Sequence, residues 1–577
     1  MKGTFEYIRN PGFIFPVLLS LAVTGVAAGE KLYVPELSRQ VQPGPDRYVT
    51  EEDGVTVLNF TAAAIGENTV AIPVDPALLA GRMVTLSGEV AQTDVSAGSH
   101  PWNGVRLALK LVDETGRLNM PQAASVSGSA EWTVRRVSVK VPDKLKSAAI
   151  VLGLDWVAGT ARFRNIAITE EALPDYAVCT VTGSADRTDV RYRPGEEMRF
   201  SFLLQENGRP AAGKLRITRY GDDGKTETFD METKPGVPAV CRTSLARPGF
   251  VMVKAVLLDR EGKVVNRSWA NRFCPVEFGL GACVGPETLK QGGPEPADFD
   301  AFWRKAKAEL AAVPMQVLEK KLVRETDISR VYDVKIAAPG KRPVSGYLTI
   351  PKDAKPGSLP LYLHFHGYGV QSAEVVESKD AIHFFINAHG IENGREPEYY
   401  RDLAKGELNG YGFKNDENRQ PDTCYFKNMI LRNLRGLEFA RSLPEWNGKE
   451  TYLQGGSHGA FQTMAAAALS DGITGCEIGI PWLCDLGGVE VGRLRGWRPD
   501  YAPGLGYYDT VNFASRVSCP VTITHAGLSD WICPPSGVWV LFNNLKGKAS
   551  MTMYQGLDHA FYPGYNHDTA SRHTYTK

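Results

Sequence analysis

Leu453-Gln454-Gly455-Gly456-Ser457-His458-Gly459-Ala460 lies between the strand-like run Glu450-Thr451-Tyr452-Leu453-Gln454 and an alanine-rich run of helical character. It reads as a nucleophile elbow, in which a strand turns sharply into a helix and the serine hydroxyl projects from a strained backbone. Glycine on both sides removes the Cβ atoms that would block so tight a turn. A Gly-x-Ser-x-Gly pentapeptide also arises by chance in a chain with 58 glycines, so its surroundings decide the reading.

Those surroundings alternate. On both sides of the elbow, from residue 331 on, strand candidates (VYDVKIAA, VSGYLTIP, LPLYLHFHG, IHFFINAHG, ETYLQG, GCEIGIP, CPVTITHAG, SMTMYQGLDH) are interleaved with helix candidates (MILRNLRGLEFARSL, Ser457 to Leu469, SGVWVLFNNL). Strands alternating with helices, the strands apolar throughout, imply a mostly parallel sheet covered on both faces. Upstream, Gly292-Gly293-Pro294-Glu295-Pro296 breaks an earlier β pattern, and Phe299, Phe302, Trp303, Ala306 and Leu310 recur at helical spacing. Asp298 and Asp300 stand at the positive end of that helix dipole.

A serine hydroxyl is a weak nucleophile without a base and a group that orients the base. On this kind of sheet the partners follow the serine in the order acid, then histidine, each in a loop after a later strand. Leu528-Ser529-Asp530 follows CPVTITHAG, and Gly556-Leu557-Asp558-His559 follows MTMYQ. Ser457, Asp530 and His559 are therefore the expected nucleophile, acid and base. Asp558 is the rival acid, disfavoured because an immediate neighbour is poorly placed to bond the His559 ring. His567 and His573 read as surface residues of a polar tail, and His525 as a structural histidine within its strand. For the developing oxyanion, the expected donors are the backbone N-H of His458 and that of Tyr368 in His366-Gly367-Tyr368-Gly369, with Gly367 as the alternative. His364 and His366 form an H-x-H pair without further ligands, better explained as loop-bracing residues than as a metal site. Serine chemistry of this kind needs no cofactor.

The N-terminal half reads differently. From residue 31 to about 172, VTVLNF, TVAIPV, MVTLSGEVAQT, GVRLALKLVD, WTVRRVSVKVP, AAIVLGLDW and TARFRNIAIT alternate between Gly, Pro and Asp turns, the pattern of a β-sandwich. With Gly81-Arg82-Met83-Val84-Thr85 early and Gly159-Thr160-Ala161-Arg162-Phe163 late, the run resembles jelly-roll carbohydrate-binding modules. Trp102, Trp132 and Trp156 offer rings either to sugars or to the core, with Trp102 and Trp156 the chosen substrate-binding candidates. A second β region, residues 176–280, contains MRFSFLLQ, KLRITRYG, TETFDMET and GFVMVKAVLLD, and its turn Tyr192-Arg193-Pro194-Gly195-Glu196 is similar to those of immunoglobulin-like spacers. The expected organisation is two N-terminal β-sandwich domains followed by an α/β-hydrolase domain over 290–577.

Composition restricts the partners. Lys plus Arg and Asp plus Glu are 65 each, with no long run of one sign, which argues against nucleic acid or an anionic membrane surface and favours a neutral polymer. Lys2 and Arg9 precede the apolar run Phe13 to Val23 and the small residues Val26-Ala27-Ala28, the layout of a cleaved signal peptide over residues 1–28. The expectation is export to a periplasmic or extracellular location, with no stable membrane span after cleavage. The nine cysteines show no C-x-x-C spacing, and their odd number leaves at least one unpaired.

From about Pro294 to the end the chain resembles carbohydrate esterase family seven, the acetyl xylan esterase and cephalosporin-C deacetylase group of α/β hydrolases. The leading helix DFDAFW, the strand VSGYLTIP, HGYG, GGSHG, GLSDWICPPSGV and the terminal His559 carry the resemblance. It implies a serine ester hydrolase of acetylated polysaccharides or oligosaccharides, with nucleophile, acid and base on Ser457, Asp530 and His559 and oxyanion donors on the Tyr368 and His458 amides. Two departures stand out. Members of that family carry Gln and two glycines after the nucleophile, where this chain has His458-Gly459-Ala460. The family's Arg-Gly-Gln motif is replaced by Asn387-Ala388-His389-Gly390. The family's ring-like oligomers cannot be assumed behind two N-terminal β-domains, so no oligomeric state is expected from the resemblance.

Overall fold

The computed structural model describes residues 31–96, 98, 103–114, 116, 118–123, 125–170, 179–269, 272–562 and 571–577. The expected signal peptide, Trp102 and His567 lie outside the described residues. The chain divides into two compact units, the first of residues 1–96 and 104–174, the second of residues 97–103 and 175–577.

The first unit contains two antiparallel sheets. One runs Arg47–Glu52, Val55–Ala62, Gly159–Glu170, Met83–Val95, Gly128–Lys140, with Lys31–Tyr33 at Gly159–Glu170; the other runs Glu67–Val74, Leu145–Asp155, Gly104–Asp113, Leu118–Asn119. Phe60, Leu86 and Phe163 from the first meet Leu107, Ile150 and Leu152 from the second in one core, as period-2 alternation requires. All seven strands read from the sequence are present. The three unread ones are short or carry several charges, so their alternation is weak. Trp132 lies beneath two guanidinium groups, Arg164 at 4.2 Å and Arg162 at 4.9 Å from its ring centre. Trp156 is half-buried, in left-handed backbone conformation at φ 52°.

The second unit joins the second β region to the α/β region. Its sandwich pairs the sheet Cys179–Ala185, Met198–Glu206, Arg209–Pro210, with Ala239–Thr243 at Met198–Glu206, and the sheet Arg191–Tyr192, Glu277–Val284, Gly249–Leu258, Gly213–Gly221, Thr226–Thr233. Its core residues Phe200, Phe278 and Leu280 belong to the same apolar cluster as Leu363, Ile478 and Met551 of the α/β sheet and Tyr562, which lies past the strand Ala549–Tyr554. A buried carboxylate reinforces the junction. Asp222 accepts hydrogen bonds from Phe250 N (2.7 Å), Leu494 N (3.2 Å) and Ser536 Oγ (3.3 Å), and burial pushes its pKa up to about 6.

The α/β sheet has ten strands in the order Val317–Glu325, Ser329–Ile336, Val344–Pro351, Ile382–Ile386, Leu359–Phe365, Trp446–Gly456, Gly475–Gly479, Val521–Gly527, Ala549–Tyr554, Arg572–Thr576. Pairing is parallel from Ile382–Ile386 across to Ala549–Tyr554 and antiparallel at both ends. The leading helix, Phe299–Ala311, buries the five residues its spacing singled out, and Asp300 pairs with Arg516 at 2.6 Å. One reading is corrected: His573 is not a surface residue of a polar tail but sits half-buried in the last strand, opposite Met553. Its alternation with Tyr575 is too short a signal to register in so polar a segment.

Candidate active site

The strand Trp446–Gly456 ends beneath the turn, and the helix His458–Ala468 begins after it. Between them Ser457 holds φ 55° and ψ −120°, a conformation that costs a non-glycine residue on the order of 1–3 kcal/mol. Ser457 N donates to Gly479 O at 2.9 Å, pinning the turn to the next strand. The glycines have a direct cause. A Cβ on Gly455 would lie 2.5 Å from the Gly459 carbonyl carbon, and one on Gly459 would lie 2.1 Å from Phe365 O. The helix start is thus pressed against the end of the strand that precedes Tyr368.

The structure brings Ser457, His559 and Asp530 together. His559 Nε2 lies 3.0 Å from Ser457 Oγ, and His559 Nδ1 lies 3.2 Å from Asp530 Oδ2. Asp530 is fully buried, and its other oxygen accepts from Ile532 N and Cys533 N, each at 2.8 Å. Burial raises the Asp530 pKa, while the His559 ring and the Cys533 amide pull it down. A carboxylate held by two amides presents its remaining oxygen in a fixed direction. That oxygen places the imidazole proton on Nδ1 and leaves Nε2 free to take the serine proton. Asp558 does something else: its Oδ1 accepts from the backbone N of His559 (2.9 Å) and of Trp531 (3.3 Å).

Tyr368 occupies the loop after Leu359–Phe365, with its ring centre 5.7 Å from that of His458. Its ring stacks on Tyr411 at 4.2 Å, its hydroxyl donates to Tyr411 O, and Gly369 N donates to Tyr411 Oη. His389 bridges Gly369 O (2.8 Å) and Tyr425 Oη (2.7 Å). The Asn-Ala-His-Gly segment therefore braces the Tyr368 loop. The two histidines of the H-x-H pair part company because the strand ends at Phe365. His364 stays on the sheet, bonded to His383 at 2.8 Å, whereas His366 turns inward, bonding Gly367 O at 2.7 Å and accepting from Ala388 N at 3.0 Å. His525 is half-buried, with Nδ1 2.8 Å from Thr524 Oγ1.

The side chain of His458 is fully buried among Tyr368, Tyr411, Phe426, Phe461 and Trp482. Gln462 Nε2 approaches its Nδ1 at 3.2 Å, which puts the ring proton on Nε2. Among the described residues that Nε2 has no hydrogen-bond partner. Burial, with a smaller effect from His366, pushes the pKa down to about 3, so the ring is neutral across the working range of an esterase.

Three neighbours escaped the sequence reading. Cys533 is buried, and its thiol, the Asp530 carboxylate and the His559 ring offer ligand atoms within 4.8 Å of one another. Burial holds that thiol well above the usual pKa, so it rests as the protonated, weakly nucleophilic form. Trp482 donates its backbone N-H to Ser457 O (3.3 Å) and its ring N-H to Trp497 O (2.6 Å). Arg498 is buried and donates to Cys484 O and Asp485 O. The position of Cys533, three residues after Asp530 on one loop, was the only available signal; the other two are brought in by tertiary packing.

Residues 287–491 and 500–576 match the family model for acetyl xylan esterase. The acetyl esterase Axe7A of Xylanibacter ruminicola is 28% identical over 390 residues, covering 64% of this chain and 83% of that protein. That alignment is longer than the family match and so reaches back before residue 287. Among solved structures, the acetyl xylan esterase from Paenibacillus sp. R4 is 24% identical with a TM-score of 0.40, covering 48% of this chain and 94% of that one. Acetyl xylan esterase 1 from Thermoanaerobacterium sp. JW/SL YS485 is 21% identical with a TM-score of 0.39, covering 48% and 93%. The region from residue 287 to 576 belongs to the acetyl xylan esterase family, which makes the protein a serine-dependent carboxylic ester hydrolase.

Proposed function

We propose that the protein is an exported carbohydrate esterase that removes acetyl groups from xylan or acetylated oligosaccharides through an acyl-enzyme on Ser457. The observation that carries this reading is the continuous relay from Asp530 Oδ2 through the His559 ring to Ser457 Oγ. His559 Nε2 takes the hydroxyl proton as Ser457 Oγ attacks the acetyl carbonyl, and Asp530 stabilises the imidazolium. The Tyr368 and His458 amides receive the oxyanion. On collapse, the C–O bond to the sugar breaks, and His559 returns its proton to the departing alcohol. Water, deprotonated by the same ring, then releases acetate and restores the serine.

Trp497, 36% exposed and edge-on to Tyr368 at 4.8 Å, and Trp531, 42% exposed and next to Asp530, provide apolar faces suited to sugar rings. In this reading residues 31–172 are a jelly-roll carbohydrate-binding module, with Trp102 and Trp156 as its candidate sugar contacts, and residues 176–280 an immunoglobulin-like domain. The test is acetate release from acetylated xylan by the parent and by Ser457→Ala. The parent should release acetate faster than it hydrolyses longer acyl esters or peptide amides. Ser457→Ala should keep the fold and lose the activity; a variant that still releases acetate at the parental rate would overturn the assignment.

A further inference from the structure

The loops that carry the acid and the base are not held by the α/β sheet alone. The strand Glu277–Val284 of the second sandwich lies against both. A Cβ on Gly281 would stand 1.9 Å from Leu528 O, two residues before Asp530, and one on Gly279 would stand 2.5 Å from Tyr562 Oη, three residues after His559. Gly281 N donates to Gln555 Oε1 at 2.9 Å, and Gln555 Nε2 donates back to Gly281 O at 2.7 Å.

One charged side chain of the sandwich completes the arrangement. Lys254, on the neighbouring strand Gly249–Leu258, directs its Nζ to Asp558 Oδ2 at 3.3 Å and lies 3.6 Å from Glu277 Oε1. The three side chains are 15–20% exposed. The other Asp558 oxygen accepts the amides of His559 and Trp531, one the base's own and the other adjoining the acid. Burial alone would push the Lys254 pKa down, but the two carboxylates outweigh it and raise it, so the ammonium is retained. Without that cation, two half-desolvated carboxylates would face each other, and Asp558 would withdraw from the amides it holds.

Resting on the reading of this site as a serine ester hydrolase, we propose that Lys254 is a positioning residue for catalysis, a cation supplied by the second sandwich that fixes Asp558 and through it the relative placement of Asp530 and His559. Substrate binding does not pass through this strut, so its loss belongs in kcat. A misplacement of this kind also leaves the serine able to react slowly with an irreversible probe.

The experiment uses the full chain, with p-nitrophenyl acetate for turnover and a serine-directed fluorescent phosphonate to count competent sites at the end of labelling. Lys254→Met should label to the parental extent but turn over about tenfold more slowly per labelled site, with KM within about twofold. Lys254→Arg should restore most of the rate. The double variant Lys254→Met with Glu277→Gln should recover a substantial part, because the repulsion on Asp558 is gone. Parental kcat per labelled site in Lys254→Met overturns the proposal. So does a loss that neither Lys254→Arg nor Glu277→Gln repairs, since that is the behaviour of lost packing rather than lost charge. Labelling of the parent separates either result from a failure of the relay itself.

Discussion

Replacing His458 with Gln removes a buried titratable ring from behind the nucleophile, and the consequence can be worked out with its sign. The pKa of His458 is about 3 in the folded chain against 6.5 for an unperturbed imidazole, so the unfolded state takes up the proton first as pH falls. A depressed folded pKa gives stability that is complete above 6.5 and is lost progressively as pH falls from there towards 3. Each pH unit below 6.5 costs about 1.4 kcal/mol, which is about 2 kcal/mol at pH 5 and close to zero at pH 7.5. Gln carries no such penalty, and any packing cost it brings is the same at both pH values. The second unit has about 400 residues, whose unfolding entropy converts 2 kcal/mol into about 2–3 °C. The assay is calorimetry at pH 7.5 and pH 5, following the transition that carries the loss of ester hydrolysis. The fall in Tm between the two pH values should be smaller by that amount in His458→Gln than in the parent. Equal falls in both proteins would refute the assignment of a neutral, solvent-excluded imidazole.

His366, also fully buried with its pKa pushed down to about 4, should behave likewise: His366→Gln should recover about 2 kcal/mol of relative stability between pH 7.5 and pH 5, measured in the same way. Asp530→Asn, which keeps the shape but cannot hold the imidazole proton on Nδ1, should lower kcat on p-nitrophenyl acetate by about 10⁴-fold. Asp558→Asn, whose side chain meets Lys254 and backbone amides but not the imidazole, should lose far less; the reverse ranking would reassign the acid. Gly459→Ala puts a methyl group where Phe365 O stands and should separate the two oxyanion loops, costing about 10²–10³-fold in kcat at saturating substrate.

The relay was legible because its signals are local. Gly455 is demanded by a contact within the turn, though Gly459 answers to Phe365 on another strand, and Asp530 and His559 each follow a strong strand pattern. The Tyr368 loop was legible in position but not in its support: Tyr411 and Tyr425 come from segments with no periodicity, and His389, just past a strand candidate, is joined to them only by the fold. Asp558 stood out in the sequence as a rival acid, yet its carboxylate serves backbone amides, a role that depends on a lysine about 300 residues earlier in the chain. The sandwich strands were readable from alternation. Their glycines at 279 and 281 gave no hint that another segment would press against them, because close approach between distant segments leaves no periodic trace.

The common apolar cluster of sandwich and α/β sheet bears on how such a chain can be inherited. A recombination point between Val284 and Phe299 would deliver two pieces, each exposing its part of one interior: Phe278 and Leu280 on one side, Tyr562 on the other. Neither piece would be a sound building block for a new partner. The second sandwich and the esterase sheet are therefore expected to travel through evolution as one heritable block. The core of the first unit is a cluster of its own, so that cut does not divide it.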